Sequence, residues 1–109
     1  MTTIIIYKSQ EDGYKGFSCK GHAGYATSGQ DIVCAGISVL TINTINSLSE
    51  LAHEELDINT DERKGIIDCR FKKHLSNEGK LLMESMILGL NGIVEDYGKK
   101  YLDLKFKEV

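Results

Sequence analysis

Proline is absent from the 109 residues, so punctuation of the chain falls to eleven glycines and to the polar residues around them. An excess of either charge is missing too. Thirteen Lys and Arg against sixteen Asp and Glu leave a formal net charge of −3. Binding a nucleic-acid backbone requires clustered cations, so direct nucleic-acid binding is not expected. Charge is nevertheless uneven: Glu50, Glu54, Glu55, Asp57, Asp61 and Glu62 crowd one stretch, and residues 70–73 and 99–107 hold most of the lysines. Two solvated faces account for that. The N-terminus, MTTIIIYKSQ, lacks the basic region and long apolar core of a signal peptide, and no apolar run approaches the roughly 20 residues that cross a bilayer. The expectation is a cytoplasmic protein with no membrane partner. No repeat, low-complexity tract or linker divides the chain, whose length suits one domain spanning residues 1–109 around one core.

What is present follows two periods. TTIIIYKS (2–9) is apolar and β-branched, and KGFSCKG (15–21) alternates, with Phe17, Cys19 and Gly21 on one face; together they form an N-terminal hairpin. From Asp31 to about Glu54 the spacing becomes helical, with Val33, Ile37, Leu40, Thr44, Leu48 and Leu51 as the apolar stripe. Two short strands flank the turn DERKG, the second with Ile67, Cys69 and Phe71 on one face. A second helix covers 76–98, its stripe being Leu82, Met86, Leu90, Ile93 and Tyr97, with Ser76 or Asn77 at its N-cap and Gly98 as its stop. YLDLKFKEV closes as a strand that sets Leu102, Leu104 and Phe106 against Asp103, Lys105 and Lys107. The order ββαββαβ predicts an α+β two-layer sandwich, a mainly antiparallel sheet with both helices packed on one face. Ile32, Val39 and Ile42 lie opposite the first helix's stripe, as do Leu81 and Leu88 on the second. Helices apolar on two sides point to a homodimer.

Three cysteines cannot all pair within the chain, which points to free thiols. Cys19 and Cys69 fall on apolar strand faces and read as inert core residues. Cys34 is placed differently. With Asp31 as N-cap it is the third residue of a helix, where unpaired N–H groups and the positive end of the macrodipole favour thiolate over thiol. At about 100° per residue it sits on the flank of the stripe, neither central nor fully outside. His22 ends the second strand, and a loop carrying Gly24 and Gly29 joins it to the helix, so imidazole and sulfur can meet. That pairing is the general recipe for a cysteine nucleophile, and the helix start offers N–H groups to an oxyanion. Asp31 either caps the helix or orients His22. His53 and His74 read as solvated.

Other readings of the same loop fare differently. A phosphate loop needs Lys followed by Ser or Thr after its last glycine, but GQD follows, and Asp31 would repel phosphate; G-x-G-x-x-G is missing as well. A metal site could begin from Cys19 and His22 in CKGH, but the two point to opposite faces and no second Cys/His pair at zinc spacing exists. A non-catalytic module binding protein or ribosomal RNA would use Arg70, Lys72, Lys105 and Lys107 on the open sheet face, and replacing Cys34 would then change nothing.

At GHAG…DIVCAG, and along essentially the whole chain, the sequence resembles the ribosomal-processing cysteine protease family, Prp. The resemblance implies a cytoplasmic, homodimeric endopeptidase. Its substrate would be the precursor of a large-subunit ribosomal protein, the twenty-seventh of that series, whose short N-terminal extension it removes without metal or cofactor. Cys34 resembles the family's nucleophile and His22 its base. Asp31 matches the acidic residue upstream of the cysteine, and Ser38, one turn on, belongs to the substrate groove. The stretch with Gly21, Ala23, Gly24 and Gly29 resembles a cover that orders over bound peptide.

Overall fold

Every second residue at the start of the chain is buried: Thr2, Ile4 and Ile6 face inward while Thr3, Ile5 and Tyr7 are half-exposed. That alternation is the period of a strand with one covered face. The computed structural model describes residues 1–11, 13–27 and 30–109. Within them the elements run β1 (Thr2–Ser9), β2 (Gly13–Lys20), α1 (Ile32–Glu50), β3 (Leu56–Asp61), β4 (Ile66–Phe71), α2 (Asn77–Tyr97) and β5 (Leu102–Glu108). The expected ββαββαβ order and α+β class are found.

The five strands form one sheet in the order β3-β4-β2-β1-β5. The pairs β1–β2, β2–β4 and β3–β4 are antiparallel, and β1–β5 is parallel. Both helices are therefore crossovers between parallel strands. α1 joins β2 to β3 in one direction along the sheet, and α2 joins the oppositely running β4 to β5 in the other. A half-turn about the sheet normal relates the two paths, so crossovers of the usual right hand put both helices on the same face. One core results. It holds Ile4, Ile6, Phe17, Cys69 and Leu102 from the sheet, Val33, Ile37 and Leu48 from α1, and Met83, Met86 and Leu90 from α2. Gly89 lets the helices approach: a Cβ there would come within 2.9 Å of Leu40 Cδ2. Thr41 and Thr44 tolerate burial because their hydroxyls donate to the carbonyls of Ile37 and Leu40, at 2.9 and 2.6 Å.

The structure departs from expectation at several points. α1 stops short of Glu54: His53 turns left-handed (φ 55°), and the Glu54 N–H reaches back to the Leu48 carbonyl at 2.9 Å. Leu51, assigned to the stripe, is thus 72% exposed. The Glu54 carboxylate is instead carried to the start of α2, where it accepts the Ser76 N–H at 2.9 Å. Phe106, expected inward, is 58% exposed because β5 is an edge strand and only its first residue, Leu102, is fully covered. Tyr97 is only partly covered (39% exposed), on the last turn of α2. Finally, α1 is long and apolar enough by length and composition to cross a bilayer, contrary to the reading that no stretch approaches that length. Here it serves as a core helix, with one face against the sheet and α2.

Candidate active site

β2 ends at Lys20, and the next residue is locked from two sides. The Gly21 N–H donates to the Gly65 carbonyl at 3.0 Å, and at φ 93° a Cβ there would meet the Met1 carbonyl oxygen at 2.8 Å. This fixes where His22 leaves the sheet. Its side chain is exposed, but one edge is not free: a Cβ on Gly65 would lie 3.1 Å from both His22 Cε1 and His22 Nε2. Ala23 then turns inward and is buried in the core. Its side chain anchors the loop to the core. Gly24 is exposed and lines a cavity. Gly29 lies outside the described residues.

Asp31 closes this segment. One carboxylate oxygen accepts the Cys34 N–H and the other the Tyr25 N–H, both at 2.9 Å. The first contact is the N-cap predicted for α1; the second ties the far side of the loop to the same carboxylate. Partial desolvation pushes the Asp31 pKa upward. The N–H groups of Cys34, Tyr25, Ala26 and Val33 outweigh it and hold the carboxyl below its ordinary value. Tyr25 packs edge-on against Tyr97 and Tyr101, with ring centroids 5.5 and 5.2 Å away. The Cys34 N–H is thus engaged, and the Ala35 N–H bonds the Asp31 carbonyl at 3.0 Å. These two donors are occupied in the free protein, so the simple expectation that the helix start holds an oxyanion does not carry over to them.

Cys34 is half-buried on the flank of α1, as its helical angle requires. Together with His22 and Ser38 it lines two cavities of about 500 Å³ each. One lies under the loop, bounded by Gly24, Gln30 and Asp31. The other runs toward the β3–β4 hairpin and is walled by Ile42, Ile45, Ile58 and Ile67, with Asp61 and Glu62 at its end. Sulfur, imidazole and hydroxyl therefore sit at the junction of a groove that extends both ways. The hairpin half had no signal in the sequence beyond a glycine in a turn, because hydrophobic strand residues look alike whether they line a core or a groove.

The other two thiols are of a different kind. Burial pushes the Cys69 thiol up to about 12, with Asp68 adding to it. It pushes Cys19 up to about 11, with the neighbouring Cys34 adding to it. Both are protonated at neutral pH, which suits the core role assigned to them. His53 and His74 are exposed, away from the groove. Among the described residues, no three His, Cys, Asp or Glu side chains converge as metal ligands would.

Comparison with known proteins bears on family and fold. The sequence profile of the family described as Cysteine protease Prp matches residues 1–102. The chain belongs to the Prp family. The ribosomal processing cysteine protease Prp of Bacillus subtilis (strain 168) is 34% identical over 101 residues, covering 89% of this chain and 90% of that protein. The Prp of Staphylococcus aureus (strain NCTC 8325 / PS 47) is 31% identical over 99 residues, covering 91% and 93%. A crystal structure of S. aureus Prp with a covalently linked product peptide superposes with a TM-score of 0.91 at 31% identity, over 98% of this chain and 100% of that one. A second, with a substrate peptide, gives 0.86 at 30% identity over the same shares. The sheet and two helices described above are thus the Prp fold, and membership makes the chain a cysteine protease.

Proposed function

We propose that this protein is a cytoplasmic endopeptidase that removes the short N-terminal extension of a large-subunit ribosomal protein, the twenty-seventh of that series. One observation carries the reading: Cys34 and His22 jointly line both arms of one groove. A peptide laid along both arms would present a backbone carbonyl to the sulfur, as acyl transfer at an internal bond requires. His22 takes the thiol proton and Cys34 Sγ forms a bond to the scissile carbonyl carbon. The C–N bond then breaks as the leaving amine receives that proton, and water hydrolyses the thioester with His22 again as base. The covalently linked product peptide in S. aureus Prp supports such an intermediate.

Asp31 acts here through the backbone. By accepting the N–H groups of both Cys34 and Tyr25 it ties the loop to the start of α1. Ser38 and Gln30, both lining the loop-side cavity, are the side-chain donors left for the developing oxyanion. Ile32, Val39, Leu81 and Leu88, between 57% and 76% exposed, support a homodimer through the outer faces of α1 and α2.

The test is to mix the purified protein with the ribosomal protein precursor and read the product's new N-terminus by mass spectrometry. Cleavage at one site near the N-terminus is expected, and loss of cleavage in Cys34→Ala and in His22→Ala with unchanged circular dichroism. Cleavage by Cys34→Ala would refute the reading.

A further inference from the structure

We infer that Gly65, in the turn between β3 and β4, is a positioning residue that sets where the His22 imidazole stands relative to Cys34. The inference rests on the reading of His22 as the base. Three observations converge on it. The Gly65 carbonyl accepts the Gly21 N–H at 3.0 Å, so the turn holds the backbone immediately before His22. The ring is in contact with the same residue: a Cβ on Gly65 would lie 3.1 Å from Cε1 and from Nε2, and 3.1 Å from the Gly21 carbonyl oxygen. Gly65 also lines the hairpin-side arm of the groove beside His22 and Cys34.

A contact of 3.1 Å to two ring atoms is tighter than most Cβ contacts, so a side chain here requires the imidazole to shift by a few tenths of an ångström. The backbone conformation, φ 63°, separately favours glycine and is anchored by the Gly65 N–H to the Glu62 carbonyl at 3.2 Å. Proton transfer requires heavy atoms within about 2.6–3.2 Å. A misplacement near 1 Å costs on the order of 100-fold in rate. The bare face of Gly65 thus lets the ring lie against the hairpin, and the hairpin backs it on the side away from solvent.

The experiment separates contact from backbone strain. Gly65→Asn introduces a Cβ with a residue that accepts positive φ. Gly13→Asn makes the same demand at φ 74°, where nothing lies within 4 Å of the added Cβ. Steady-state kinetics on the extension peptide should show kcat for Gly65→Asn down by about four- to tenfold with KM little changed, and Gly13→Asn like the parent. The Cε1–H resonance of His22, assigned with His22→Ala, should move in Gly65→Asn and not in Gly13→Asn. Parent kcat in folded Gly65→Asn, or an unmoved His22 resonance, would overturn the inference. So would failure of both Gly65→Asn and Gly65→Ala to fold, which would make Gly65 a folding residue. Full activity in His22→Ala would instead sink the base assignment, a result distinct from these.

Discussion

Replacing Cys69 by Ala separates the structural thiols from the reactive one and does so with a pH signature. Cys69 has no exposed surface and stands opposite Phe17 and Ile58 in the neighbouring strands. Deleting one buried heavy atom costs about 1–2 kcal/mol when the site collapses only partly. For a domain of this size that lowers Tm by about 4–8 °C. The pH dependence adds a second, independent check. Burial raises the folded thiol's pKa from 9.0 to about 12. Above pH 9 the unfolded chain releases this proton while the folded chain keeps it, so the folded state binds more protons and loses stability as pH rises. The thiol's contribution is complete below about pH 9 and is lost progressively toward the folded value. The gap in Tm between parent and Cys69→Ala should therefore be widest at pH 7.5 and narrow by pH 10.5. Differential scanning calorimetry of both proteins across that range measures it. A gap independent of pH, or alkylation of Cys69 in the native protein at pH 8, would refute the placement of this sulfur. Proteolytic activity per folded molecule should be unaffected.

Asp31→Asn should keep α1 capped but lose one of its two acceptors, so the Tyr25 amide should exchange with solvent faster while the Cys34 amide stays protected. Because the folded pKa of Asp31 is lowered, its contribution is present above the unfolded value near 3.8 and disappears as pH falls through the folded value; the Tm gap to Asp31→Asn should close on acidification. Light scattering at micromolar concentration should give twice the 12.1 kDa chain mass, and Leu88→Glu, at a position 76% exposed on α2, should return it to the monomer. A monomeric parent would remove the dimer.

Much of this architecture was legible because local rules and tertiary outcome agree. Alternation in TTIIIYKS and the stripe from Val33 to Leu48 show their periods directly, and Asp31 and Ser76 cap the helices that follow them. The half-buried place of Cys34 in the first turn of α1 was legible from its helical angle and from Asp31 as the cap. Strand order was not, since nothing local marks β5 as the parallel neighbour of β1. Nor was the exposure of Phe106, which follows from that edge position. The double use of the Asp31 carboxylate and the contact of Gly65 with His22 join residues brought together only by loop closure and by the hairpin. Buried Ala23 in a glycine-rich loop likewise obeys the core, not the loop's composition.

The most direct test of the account is to follow the sulfur itself. The protein is mixed with the extension peptide, quenched in acid during turnover, digested, and searched by mass spectrometry for a peptide bearing the N-terminal fragment as a thioester. The adduct is expected on Cys34 alone, appearing before product and decaying with it. Turnover with no adduct at residue 34, or an adduct on Cys19 or Cys69, would contradict it.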